Sequence, residues 1–114
     1  MPADVFDQVI DRTLAELPAR FAGLLENVEI IVEDADPDEP DIYGLYEGIP
    51  LTERYEGSTD LQPPDRVWLF RRPLTEDFGH DPELLASEIR VTLLHELAHF
   101  FGIGDERLGE LGWA

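Results

Sequence analysis

The chain has 114 residues, enough for one small domain with a buried core and too few for a second. Its 26 acidic residues against 8 basic ones give a formal net charge of -18, which repels nucleic-acid phosphates and anionic membrane surfaces and disfavours both as partners. There is no cysteine, which excludes disulfides, thiolate metal sites and cysteine nucleophiles and leaves His, Asp and Glu as strong metal ligands.

The N-terminal stretch MPADVFDQVIDRTLAEL carries acids where a signal peptide would carry a basic start. No apolar run approaches bilayer-spanning length, so the expectation is a soluble, cytoplasmic protein. Val5, Phe6, Val9, Ile10, Leu14 and Leu17 recur at helical spacing and Pro18 follows, which predicts an amphipathic helix over 3–17. NVEIIVE, at 27–33, is apolar and β-branched and predicts a strand. EDADPDEPD, at 33–41, combines like charge with two prolines and predicts an exposed loop; its spacing matches no EF-hand.

YGLYEGIPLTERYEG, at 43–57, mixes strand formers with Gly44, Gly48, Pro50 and Gly57, a composition that suits short strands at a sheet edge. RVWLF, at 66–70, is apolar without a breaker and predicts a strand covered on both faces, with Arg71 and Arg72 as its polar end. In HDPELL, Asp81 can cap a helix and Pro82 suits its first position, so a long helix is expected from there to about Phe101. A helix, then strands, then a helix predict an α+β domain with a small antiparallel or mixed sheet.

The chemistry lies on the last helix, in HELAHFFGIGD, His95 to Asp105. On a helix His95 and His99 are separated by about 400° of rotation and about 6 Å of rise, so their rings leave one face and can share one ion. Glu96 stands a step round the helix, out of ligating reach but able to touch a water beside the ion, where a general base must sit. Gly102 can take the left-handed conformation that ends a helix and turns the chain. The turn brings Asp105 to where it can complete a triad of two imidazoles and one carboxylate, with a fourth position open to water. Glu88, Thr92, His95 and His99, with Glu96 beside them, form one polar stripe on an otherwise apolar helix and predict the floor of a cleft. His80, isolated in a loop before the helix cap, reads as structural.

HExxHxxGxxD, as His95, Glu96, His99, Gly102 and Asp105, resembles the extended zinc signature of the zincin metallopeptidases in its metzincin-like form, with aspartate in the third-ligand place. YEGIPLTER and HELAHFFGIGDERLGELGW resemble a bacterial family of minimal zincin-like metallopeptidases. The resemblance implies a zincin-like fold and a zinc ion bound by His95, His99 and Asp105, with Glu96 activating water to cleave a peptide or unfolded protein segment. A glutamate-ligand zincin is the weaker variant, because Glu106 and Glu110 lie much closer to His99 than that family's third ligand usually does. Met1 is the only methionine, so the Met-turn of larger metzincins is absent, and the nine residues after Asp105 are expected to be too few for the lower wall of a peptidase cleft. That departure keeps a second reading open, a zincin-fold metal-binding module that regulates or recruits with little proteolysis. The resemblance also implies an edge strand above the helix that pairs with extended substrate, and composition places it at Tyr43 to Thr52.

Overall fold

A helix that is apolar over most of its circumference must be covered on several sides. The computed structural model, which describes residues 4–51 and 64–111, builds that cover from both halves of the chain. Helix α1 (Val5–Glu16) begins where the Asp4 carboxylate accepts from the Phe6 amide at 3.0 Å, and gives way to extended backbone at Leu17, before Pro18. A single turn, α2 (Ala19–Ala22), and a 3-10 turn (Gly23–Leu25) lead into β1 (Val28–Glu33). Then come β2 (Gly44–Glu47), β3 (Asp65–Phe70), α3 (Arg71–Phe78), α4 (Pro82–Phe101) and α5 (Asp105–Leu111).

The sheet is mixed, in the order β1-β3-β2, with β3 parallel to β1 and antiparallel to β2. The predicted α+β class and the interior position of 66–70 hold. Among the described residues, so does the edge position of β2. The acidic connection after β1 is irregular, and the Asp36 carboxylate turns it by accepting from the amides of Asp38 and Glu39 at 2.8 and 3.0 Å. Residues 52–57 of the predicted edge region lie outside the described residues.

Two expectations need correction. Strand β3 is not covered on both faces: Val67 and Leu69, facing the helices, are fully buried, whereas Arg66 and Trp68, on the opposite face of the pleat, are only half-buried. Arg71 and Arg72 are not a strand end but open α3. Arg71 pairs with Asp4 and its guanidinium lies 5.0 Å from the centre of the Phe6 ring, which ties α3 to the start of α1. Pro73 falls in the first helical turn, where a missing amide costs nothing, and Leu74 anchors the helix in the core. With only those two residues buried, α3 shows no apolar period to betray it.

The core lies between the sheet and α4. Phe6, Val9 and Ile10 of α1, Val67 and Leu69 of β3, and Leu74 of α3 meet Ile89, Leu93, Leu94 and Leu97 of α4. Among the described residues no helix is long and apolar enough to cross a membrane.

Strand β2 sits against α4 so closely that Gly44 has no room for a side chain. A Cβ there would stand 2.7 Å from Thr92 Cγ2 and 3.0 Å from the Trp68 carbonyl oxygen. Gly44→Val is therefore expected to lower stability by about 1–3 kcal/mol, the usual range for overpacking, seen as a lower urea midpoint. An unchanged midpoint would mean that β2 is not seated on the helix.

Candidate metal centre

Both ends of α4 are built by local chemistry. At its start the Asp81 carboxylate accepts from the amides of Glu83 and Leu84 at 3.0 and 3.4 Å, and Pro82 takes the first position. At its end Gly102 adopts φ 73°, ψ 32°, and the Ile103 amide reaches back to the Ala98 carbonyl at 2.9 Å. This left-handed close requires glycine and ends the helix where the sequence predicts. The chain then enters α5, a helix the sequence did not announce.

Between α4 and the chain leading into β2 lies a cleft of about 450 Å³. Glu88, Thr92, His95 and Glu96 form one wall, and Asp41, Tyr43 and Gly44 form part of the other. Glu88, Thr92, His95 and Glu96 of the predicted polar stripe thus line the cleft, whereas His99 is not among its described lining residues. Thr92 is internally satisfied, its hydroxyl donating to the Glu88 carbonyl at 2.7 Å. His95 and His99 are both exposed, one helical turn apart. Glu96 is more sheltered: its side chain is 17% exposed against 67% for His99, and its Oε1 lies 4.0 Å from His99 Nε2. Burial raises the Glu96 carboxyl above its ordinary value, while the charged forms of His99 and His95 pull the other way.

Two tyrosines, Tyr43 of the opposing wall and Tyr46 of β2, escaped individual notice in the sequence. Tyr43 donates its hydroxyl to Asp77 of α3 and packs its ring on Phe78 at 5.4 Å. That bond raises the Tyr43 hydroxyl above its ordinary value. Tyr46 of β2 lies parallel to His99, with ring centres 6.4 Å apart and 5° between planes. Neither contact has a sequence signature, because both join residues far apart in the chain.

Of the predicted site residues, His95 and His99 share one exposed face of α4, with the more sheltered Glu96 beside them. Asp105 is the first residue of α5, and its side chain lies outside the described residues. Among the described residues no three His, Asp or Glu side chains are gathered as a ready metal cage. The donor set still suits a cation, since the cleft lining offers imidazole and carboxylate and includes no Lys or Arg. His80 is exposed in the turn after α3 and is not among the described residues of the cleft. Glu110 is exposed and accepts from Arg107 at 2.8 Å.

The model of the zincin-like metallopeptidase family matches residues 25–113, a span that includes β1 to α5 and the whole cleft lining. No curated protein matches the chain.

A carboxyl whose folded pKa is raised favours the fold only while protonated. Its contribution is complete below about pH 4, the ordinary glutamate range, and is lost as pH rises through the folded value. Ionised Glu96 therefore weakens the metal-free protein at neutral pH. Metal-free Glu96→Gln is expected to melt higher than wild type at pH 7.5 and at the same temperature near pH 4. An equal gain at both pH values would assign the effect to packing and not to charge.

Proposed function

The chain belongs to the zincin-like metallopeptidase family, and from that premise we propose that it is a zinc-dependent peptidase acting on extended or unfolded protein segments. His95, His99 and Asp105 hold the metal in this proposal, and Glu96 is the general base. The observation that carries it is the placement of Glu96, a sheltered carboxyl on the wall of a cleft that His95 also lines, 4.0 Å from the His99 imidazole.

A zinc ion held by these residues supplies Lewis acidity, polarising the scissile carbonyl and making water a competent nucleophile near neutral pH. Glu96 takes the proton of the attacking water and delivers it to the departing amine. Its sheltered position fits that double task, since a carboxyl raised above its ordinary value is the stronger base when ionised. Among the described residues β2 has a strand on one side only, so its other edge can pair with an extended substrate through the main chain. Gly44, pressed against Thr92, keeps that edge close to the histidines.

Purified protein should hold close to one zinc per chain, and His95→Ala or His99→Ala should abolish binding. Asp105→Ala should weaken it sharply, whereas Glu106→Ala, Glu110→Ala and His80→Ala should leave it near normal. Metal retained by the double histidine variant, or a reversed order among the acidic ones, would overturn the ligand assignment. Competition titration against a zinc chelator measures all of these, and affinity should fall with pH because both imidazoles must be neutral to bind.

Glu96→Gln should keep zinc and lose turnover on an unfolded protein by at least about a hundredfold, the scale of a lost general base. Full activity in this variant would remove Glu96 from the role. Zinc-loaded wild type that cleaves no peptide would favour the recruiting module over the enzyme.

A further inference from the structure

Zinc-bound imidazoles are usually oriented by a hydrogen bond to the ring nitrogen that does not face the metal. Among the described residues no hydrogen bond holds the His99 ring, which is 67% exposed at the outer surface of α4. Its plane is instead met by Tyr46. The two rings are parallel to within 5° with centres 6.4 Å apart, inside the range of an offset aromatic stack. Tyr46 also packs on Phe100, tilted at 60° with ring centres 6.3 Å apart.

The Tyr46 ring is not free to rotate away. Its hydroxyl donates to Asp65 Oδ2 at 2.6 Å, and Asp65, the first residue of β3, is only 3% exposed. A carboxylate so buried carries a desolvation cost that a donated hydrogen bond offsets. The backbone makes room for it: Gly48 has φ 153°, and a Cβ there would fall 2.6 Å from Asp65 Cγ. A side chain at 48 would thus displace the carboxylate that fixes Tyr46.

We propose that Tyr46, anchored by Asp65, is a positioning residue that sets the plane of the His99 imidazole and so the geometry of the metal site. It performs by stacking what a hydrogen bond usually does for a ligating histidine. The proposal rests on the zinc reading above, but its first consequence is visible without metal. In the metal-free full chain the His99 ring protons lie beside those of Tyr46 and should show a ring-to-ring nuclear Overhauser effect. Tyr46→Leu should remove it.

With metal, Tyr46→Leu should weaken zinc binding by about 10–100-fold, the usual effect of losing a group that orients a ligand. Tyr46→Phe keeps the ring and loses its anchor, so it should show a smaller loss and an altered visible spectrum of the cobalt-substituted protein. Asp65→Asn keeps an acceptor for the hydroxyl and should retain wild-type affinity and spectrum. If folded Tyr46→Leu and Tyr46→Phe bind zinc as wild type does, with the cobalt spectrum unchanged, Tyr46 only packs and the proposal fails while the zinc reading stands. If Tyr46→Leu does not fold, Tyr46→Phe decides alone. Wild type that binds no zinc would remove the zinc reading and the proposal together, and is recognised before any variant is compared.

Discussion

The burial of α4 decides where chemistry can occur in this protein. The helix is met by α1, α3, β2 and β3. Ile89, Leu93 and Leu97 are wholly excluded from water, and each large apolar side chain so buried contributes about 1.5–3 kcal/mol. That packing fixes the rotation of the helix about its axis and leaves one stripe unburied. His95 and His99 fall on it, while a one-residue shift would drive both imidazoles into the core without partners, at a cost that unpaired polar groups cannot meet. The position of the histidines is thus a consequence of the hydrophobic pattern around them.

The second constraint is the close seat of β2 on α4. With no side chain at Gly44, the edge strand approaches Thr92 and Glu96, and the cleft becomes narrow enough to shelter Glu96. The same closeness lets Tyr46 reach His99 from the sheet. Sheltering a carboxylate weakens the metal-free fold, a tension that the proposed cation beside Glu96 would relieve. The surplus of acid over base in the chain works in the same direction, since it favours a cation over any anionic competitor.

Much of this was legible in the sequence because it is written in local chemistry. The caps at Asp81 and Gly102 bound α4, Pro18 bounds α1, and glycines mark β2 as an edge. Helix α3 was missed because it buries only Pro73 and Leu74, and because its arginines look like a strand end until Asp4 and Phe6 are seen beside them. The continuous apolar run of β3 suggested two covered faces, yet Trp68 is large enough to be half-exposed on an open face. The parallel pairing of β1 with β3 and the reach of Tyr46 to Asp65 join distant segments, and no single-chain periodicity encodes either. Cleft and helix face were therefore readable, and the stacking of Tyr46 on His99 was not.

The central claim is that two imidazoles on α4 and an oxygen ligand share one zinc ion. X-ray absorption at the zinc edge of the loaded full chain tests it most directly. Two imidazole nitrogens at about 2.0–2.1 Å are expected, with the remaining ligands oxygen, in a four-coordinate shell. A shell of oxygens alone, or one with a single imidazole, would contradict it.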